Sequence, residues 1–522
     1  MTTYPVWGWG VGGTRPTTAE LEALGPVLAH TTGLPVQVPE QPAPLPQLSS
    51  SLHRATLPPS LRALASEEPA DRARHSFGRS YCDVVRGIRG QLDSVPDLVL
   101  RPAGEAEVAA VLDWAGDAGV AVVPFGGGTS VVGGVEPVGL DSAVSLDLCR
   151  VSGLLDIDPV SRAVRLGAGT LGPAAEDLLR PHGLTLRFYP QSFERSTVGG
   201  WLATRAAGHF STGTTHIDDQ VEQIRAVTPT GIWESRRLPA SGAGPSPDRL
   251  LLGSEGILGV IVDAWLRAQP RPSVRWAATL AATDLRTGTA ALRALVQAGL
   301  TPATCRLVDA TEAALTGAHA GGEAVLVLGF EALQGSLEEV TGLALEVCRD
   351  AGLQLLEAGP RGPAGSAWRS TFVQAPYLRE QMILLGLLVE TFETATTWDK
   401  LDGLIDAVVT TTTRSVREVC GEGVVTCRIT HVYPDGAAPY FTVLAPARRG
   451  SEVAQWREVK AAASEALLAA GGTITHHHAV GRDHQQSYER QRPEPFARAL
   501  RAAKDALDPR GILNPGALLP AR

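Results

Sequence analysis

Residues 124–134 read PFGGGTSVVGG, directly after the apolar run AVV at 121–123. A strand that ends in three glycines frees the backbone for conformations closed to residues with a Cβ. The N–H groups of such a loop converge on an anion, and Thr129 and Ser130 add hydroxyl donors. A diphosphate suits this arrangement; a plain flexible turn is the competing reading of a lone glycine triplet. The loop lacks the Gly-Lys-Ser/Thr of a Walker motif and the GxGxxG that opens a dinucleotide-binding helix.

Two further segments repeat the chemistry. STVGGWLATRAAG (196–208) and GSEGILGVI (253–261) are again rich in glycine and hydroxyls. One nest satisfies only part of a diphosphate's oxygens, so three loops in order outweigh a reading as turns. Around them, residues 97–270 alternate short apolar strands (DLVLRPA, AVVPFGG, AVSLDL, AVRLGAG, IRAVTP, LGVIVDAWL) with helices such as EAEVAAVLDWAGDAG at 105–119. Helices are too few for a doubly wound sheet, and an α+β domain on two small sheets is expected.

The flanks read differently. In the first 90 residues, helices at 18–30 and 59–76 bracket a proline-rich, extended stretch, QVPEQPAPLPQ (37–47), and imply a largely helical N-terminal lobe. From 271 to 475, strands at 275–281, 304–308 and 323–331 alternate with helices near 284–298, 310–316 and 336–351. Helices at 376–393 and 398–419, a strand pair around Pro-Asp-Gly at 427–446 and a helix at 453–472 follow, with TITHHH leaving as a strand. This predicts helices on an antiparallel sheet, a substrate-covering cap. The expected units are 1–90, 91–270, 271–475 and a C-terminal segment, 476–522, that returns to the site.

A chain of 522 residues exceeds one ordinary core. With 44% hydrophobic and 19% charged residues it is globular, and a formal charge of −9 argues against nucleic acid as partner. No apolar run approaches a bilayer span, and MTTYPVWGWG has no secretory pattern. The six cysteines form no CxxC pair, which suits reduced thiols. The cytoplasm is the expected compartment; peripheral membrane contact and a homodimer are left open.

The order PFGGGTS, QSFERSTVGGWLATRAAG, GSEGILGVI resembles the vanillyl-alcohol-oxidase-type (PCMH-type) FAD-binding family. Within it the chain is most similar to the alkylglycerone-phosphate (alkyl-dihydroxyacetone-phosphate) synthases, through VWGWG, ATCRLVD, PYLRE, ETFETATTWDKL, VTCRITHVYPDGAAPYF and THHHAVG. The resemblance implies a two-subdomain FAD-binding domain plus the cap, with FAD between them. Pro124, Phe125, Gly126, Gly127, Gly128, Thr129 and Ser130 would wrap the diphosphate. Gln191, Ser192, Phe193, Glu194, Arg195, Ser196 and Thr197, with Thr204, Arg205, Ala206 and Ala207, would line the flavin side. Glu255, Gly256, Ile257, Leu258, Gly259, Val260 and Ile261 would hold the adenosine end. Arg379 would bind a substrate phosphate with Arg428, Tyr440 would move a proton, His476, His477 and His478 would complete the site, and Arg306 would sit close to the flavin. The implied reaction exchanges the acyl group of acyl-dihydroxyacetone phosphate for a fatty alcohol while flavin N5 holds the C1 carbon, with no net redox change. PFGGGTSVVGG contains no histidine or cysteine, so FAD is expected to be bound non-covalently; His75 is the upstream histidine that bears on this.

Those residue types suit the task. A guanidinium matches a phosphate dianion, a phenol beside a cation has a lowered pKa, and imidazoles buffer near neutrality. Each also has a plain reading: Arg379 as a solvated helix residue, Tyr440 as a packed aromatic, Arg306 facing water. In a strand His476 and His478 would share a face, and a third metal ligand would have to come from His431 or Asp435. Related dehydrogenases hold a metal through HxGDGNxH, where this chain has HVYPDGAAPY, so a proton-handling, anion-binding wall is expected and no metal. Gln191 and Arg195 stand where the related synthases usually carry an acidic and an aromatic residue. An FAD-dependent dehydrogenase or oxidase of a 2-hydroxy acid is the rival activity, and a non-catalytic FAD-binding scaffold a third.

Overall fold

The computed structural model describes residues 7–9, 16–210, 212–213, 215–360 and 377–521. Val6 and Gly10 of VWGWG and Pro376 of PYLRE lie outside them.

Two small sheets form the domain that carries the glycine loops. In the first, Leu98–Leu100, Ala143–Asp147 and Ala121–Phe125 pair in parallel, with Ala65–Ser66 antiparallel at the edge. The parallel strands are almost wholly buried, as strands covered on both faces must be. Helix Glu105–Ala118 crosses over with Val108, Val111, Leu112 and Ala115 inward and stops at Gly119, whose φ is 66°. The second sheet is antiparallel: Leu154–Asp158, Ala163–Gly167, Val260–Arg267, Val221–Thr228 and Gly231–Glu234. One continuous core joins the two.

A larger antiparallel sheet follows. Its strands run in the order Gln354–Gly359, Val274–Ala282, Ala324–Ala332, Thr304–Val308, Val424–Val432, Gly436–Pro446 and Leu387–Glu393. Helices Leu285–Gln297, Glu338–Asp350, Trp398–Cys420 and Glu452–Ala469 cover one face. Alternation along a strand decides which side chains reach the other face. Phe441, Val443 and Ala445 enter the helix-side core, whereas Tyr440, Thr442 and Leu444 face the glycine loops.

Among the described residues, the first 90 contribute to the cores of both sheets and have no separate core of their own. Helices Thr18–Thr32 and Tyr81–Ile88 contribute Leu21, Leu28, Tyr81 and Val84 to the core of the large sheet, while Leu57, Leu61 and Leu64 join that of the small sheets. Short helices separated by an extended stretch bury too little alone. The proline-rich segment is extended as expected, with Gln37 and Glu40 N–H groups on Leu385 and Leu384 carbonyls. The closing helix, Glu494–Leu507, leads the chain back to the first sheet, where the Val122 N–H donates to the Ile512 carbonyl and the Asn514 N–H to the Val122 carbonyl.

Three expected elements differ. The helix at 59–76 is two helices, Pro59–Arg62 and Pro69–Arg74, because Ala65 and Ser66 pair with Leu100 and Val99 and Pro69 restarts the helix at its first turn. The helix at 376–393 ends at residue 384; Gly386 turns at φ 78° and Leu387–Glu393 is a strand paired with 440–446. TITHHH is no strand but an irregular turn wrapped on Glu393.

Candidate active site

The glycine loop is shaped by its neighbours. A Cβ on Gly127 would stand 1.7 Å from the Arg195 carbonyl oxygen, and one on Gly126 2.4 Å from Thr197 Oγ1. Only glycine lets the first and second loops touch backbone to backbone. Gly128, at φ 62°, closes over the Phe125 ring, which packs 4.3 Å from His75. His75 is buried behind the loop, bonded to the Asp71 carbonyl and facing Asp147. Ser130 Oγ accepts the Gly134 N–H at 3.0 Å, so that hydroxyl closes its own loop.

The other two loops complete the cradle. Thr197 caps helix Val198–Thr204 through the Gly200 N–H, and Trp201 donates to Ser196 Oγ at 2.7 Å. Glu255, at φ 51°, takes the Val480 and Gly481 N–H groups at 2.9 and 2.8 Å; burial pushes its carboxyl up to about 7. Asn514, absent from the sequence candidates, donates to the carbonyls of Gly134 and Glu255 and ties two loops together.

A cavity of about 640 Å³ runs from these loops to the large sheet. Of the expected cofactor residues, Pro124 to Ser130, Gln191, Ser192, Ser196, Thr197, Thr204, Ala206, Ala207, Glu255, Gly256, Gly259 and Ile261 line it. The others do not. Phe193 packs on Tyr189, Glu194 accepts from the Tyr377 hydroxyl, and Arg195 is buried with its guanidinium toward the Gly8 carbonyl. Arg205 turns to Asp218, and Ile257, Leu258 and Val260 belong to the core. Near-bare backbone at the narrow places and hydroxyls between them fit a flavin dinucleotide.

At the far end the strand register assembles the reactive side chains. Tyr440 stands opposite Arg428 on one side and Glu393 on the other, and Thr442 lies between Thr426 and Thr391. The Arg428 guanidinium sits 4.0 Å over the Tyr440 ring and donates to Glu312 at 2.5 Å. Burial raises the Tyr440 phenol, and the opposing Arg428 charge does not reverse this. The phenol is therefore neutral at rest, contrary to the expected lowering. Arg306 does not face water: it is 2% exposed, donates to the His209 carbonyl, and burial with the Arg428 charge lowers it to about 9. Arg379 lines the cavity and its Nη2 donates to the Arg79 carbonyl, while Nε is buried with no hydrogen-bond partner among the described residues. Arg79, also missed in the sequence, is buried, and burial plus the Arg195 charge lowers it to about 10.

The histidine run is organised by Glu393, 1% exposed. Its carboxylate takes the N–H groups of His476, His477 and His478 at 2.5, 3.0 and 2.9 Å, and the Thr475 hydroxyl at 2.7 Å. Burial pushes this carboxyl up, but the histidine turn outweighs it and holds it well below the usual range. The rings do not buffer near neutrality. Burial lowers His477 to about 3 and His478 to about 4, and puts His476 well below the usual value, so the wall is neutral rather than cationic. His477 and His478 face the cavity beside Tyr440. His476 turns the other way, to His216 and Tyr433.

His431, His476 and His477 bring ring nitrogens within 4.8 Å of one another, as Glu393, His477 and His478 bring one atom each. His431 engages both nitrogens, with Thr430 Oγ1 and the Gly208 carbonyl, and Glu393 is occupied by the turn. Asp435 is exposed on the hairpin turn. An apolar wall of Leu315, Leu378, Met382, Val389 and Leu444 completes the cavity. Among the described residues no helix is long and apolar enough to cross a membrane.

Residues 96–235 match the family described as FAD binding domain, and residues 271–518 the family described as FAD linked oxidases, C-terminal domain. The chain is 27% identical over 509 residues to alkyldihydroxyacetonephosphate synthase of Dictyostelium discoideum, covering 92% of this chain and 82% of the relative. It is 29% identical to the synthase of Caenorhabditis elegans, over 86% of this chain and 80% of the relative. Glycolate oxidase subunit GlcD of Bacillus subtilis is 24% identical, over 82% and 89%. In fold, a solved alkyldihydroxyacetonephosphate synthase superposes with a TM-score of 0.81 at 23% identity, over 98% of this chain and 96% of that one. For p-cresol methylhydroxylase with substrate bound the TM-score is 0.69 at 13% identity, over 88% and 94%.

Proposed function

We propose that this chain, which belongs to the FAD-linked oxidases of the PCMH type, is an FAD-dependent enzyme with the reaction of an alkyl-dihydroxyacetone-phosphate synthase. The acyl group of acyl-dihydroxyacetone phosphate leaves as a carboxylate and a fatty alcohol takes its place, a step of ether-lipid synthesis. The observation that carries this reading is one cavity that joins three unlike surfaces. The glycine loops, the cationic pair Arg379 and Arg428 with Tyr440, and the apolar wall all line it. A small hydroxy acid would leave that wall without a purpose.

Bound FAD supplies an electron-rich ring nitrogen at which the exchange takes place. Arg379 pairs with the substrate phosphate, which matches its buried Nε–H, without a hydrogen-bond partner among the described residues. Tyr440, neutral at rest, gives and retakes a proton, and the Arg428 guanidinium over its ring stabilises the phenolate whenever it forms. His477 and His478, also neutral, accept the proton of the entering alcohol. Leu315, Met382, Val389 and Leu444 hold the acyl or alkyl chain and keep water from the reacting carbon. The substrate is thus a phosphorylated lipid, bound beside non-covalent FAD.

The test uses the yellow holoprotein with a long-chain acyl-dihydroxyacetone phosphate and a radiolabelled fatty alcohol. Label appearing in an alkali-stable ether lipid supports the reading. Bleaching of the flavin by a 2-hydroxy acid, with no ether formed, would replace it with the dehydrogenase activity suggested by the likeness to a glycolate oxidase subunit.

A further inference from the structure

We infer that His476, Tyr433 and His216 form a hydrogen-bonded relay that carries a proton out of the cavity to the half-buried Tyr433–His216 pair, a path that rests on the synthase reading above. The exchange has a fixed balance: an acyl ester and an alcohol become an ether, a carboxylate and one proton. The C1–O bond to the acid breaks, the C1–O bond to the alcohol forms, and the alcohol's O–H proton is left over. Each titratable group that lines the cavity can hold one proton, not one per turnover, so the proton must leave.

The geometry supplies a route. His477 lines the cavity, and its Nδ1 lies 3.0 Å from His476 Nδ1. His476 does not line the cavity; its other nitrogen, Nε2, lies 2.8 Å from the Tyr433 hydroxyl and 3.0 Å from His216 Nε2. Tyr433 and His216 are 3.1 Å apart, and the Tyr433 hydroxyl is 3.2 Å from Thr215 Oγ1. An imidazole bonded through both nitrogens takes a proton on one and releases it from the other, and a hydroxyl both donates and accepts. Each passage reverses the tautomer of His476, and the return flip resets the chain.

The outer members are fixed by the fold and are half-buried. Tyr433 starts the tight turn of the 424–446 hairpin, with its N–H on the Gly436 carbonyl and its own carbonyl taking the Trp398 indole N–H. His216 is pinned by a backbone bridge to Ala207, a cavity residue. Both residues are partly exposed, although His216 Nδ1 itself is buried with no hydrogen-bond partner among the described residues, and Pro434 and Asp435 beyond Tyr433 are exposed. Three carboxylates face the path: Glu393 is occupied by the three N–H groups of the histidine turn, Asp218 beside His216 is held by Arg205 and Arg249, and Asp219 lies near both His216 and Tyr433.

The test measures alkyl transfer by holoenzyme carrying Tyr433→Phe or His216→Ala. Tyr433→Phe keeps the ring and its packing, so it guards against a fold defect. Both variants should retain FAD and KM, while kcat falls on the order of tenfold or more, as proton exit becomes limiting. The solvent deuterium isotope effect on kcat should rise above the wild-type value, and added imidazole should restore kcat in His216→Ala but not in Tyr433→Phe. Wild-type transfer with both variants at full kcat and an unchanged isotope effect overturns the relay alone. Loss of FAD or of substrate affinity in both assigns these residues a structural role and also overturns it. A wild-type holoenzyme that makes no ether removes the synthase reading, and the relay with it.

Discussion

Glu393 lies directly opposite Tyr440 in the strand pairing, and its carboxylate accepts the N–H of His477 at 3.0 Å. One buried acid therefore sets the spacing between the phenol and the imidazoles. Glu393→Gln replaces an acceptor of several N–H bonds with an amide whose NH2 opposes them. Charge-assisted bonds of this kind are worth roughly 1.5–3 kcal/mol each, with strong non-additivity. The variant should bind FAD, lose thermal stability and lose most of its turnover; full activity would show that the turn is held by other contacts.

The glycine loop makes a sharper prediction than its sequence suggested. Gly127→Val is incompatible with the Arg195 carbonyl before any cofactor arrives, since even a Cβ would come within 1.7 Å. The loops must part, and the protein should purify colourless. A folded Gly127→Val protein with full flavin absorbance would show that the two loops can separate without loss of the cradle.

Tyr440→Phe and Arg379→Lys should act on different steps. The first removes one hydroxyl from a ring clamped under Arg428, so turnover should fall by the roughly 10²–10⁴-fold of a lost acid–base group with KM little changed. The second keeps the charge and loses the planar fork, so it should raise KM for a phosphorylated substrate. Steady-state kinetics of both variants decide it; a normal Tyr440→Phe enzyme removes the phenol from the mechanism.

What was legible in the sequence followed from local rules. The glycine loops stand in one piece each, the strands of the two small sheets read as short apolar runs, and the family likeness lay in contiguous motifs. What was missed depends on contacts between distant residues. MILLGLLVETFE reads as an apolar helix, yet Gly386 and pairing with 440–446 make its second half a strand, and that misreading hid Glu393. Without Glu393 the histidines looked like a strand end. Arg79, Asn514, His216 and Tyr433 meet the site only through the fold, and no spacing marks them. The shifts of Tyr440 and the histidines depend on burial, which residue types do not reveal.

Acidification should destabilise the protein from near neutrality. His477 and His478 have folded pKa values of about 3 and about 4 against about 6.5 when unfolded. Between those values the unfolded chain binds more protons, so stability falls as pH falls through 6.5 toward 4. Glu393, lowered in the folded state, adds a further loss below the ordinary carboxylate range. Glu255, raised to about 7, contributes with the opposite sign, so its folded state gains protons over part of the same window. Calorimetry at pH 7 and pH 5 should show a lower Tm at pH 5, with the drop reduced in His477→Asn; an unchanged drop would place the buried neutral imidazoles elsewhere.

FAD should come away without breaking a bond. Among the described residues the histidines lining the cavity, His477 and His478, stand beside Tyr440, and His75 is shut behind Phe125. Acid precipitation should leave the yellow colour in the supernatant; a yellow pellet would mean a covalent flavin.

The most direct test of the central claim is to mix holoenzyme anaerobically with acyl-dihydroxyacetone phosphate and labelled fatty alcohol, following flavin absorbance and label together. The account predicts ether product over many turnovers, one carboxylate released per ether, and a flavin that ends as oxidised as it began. Stoichiometric bleaching without ether formation would contradict it.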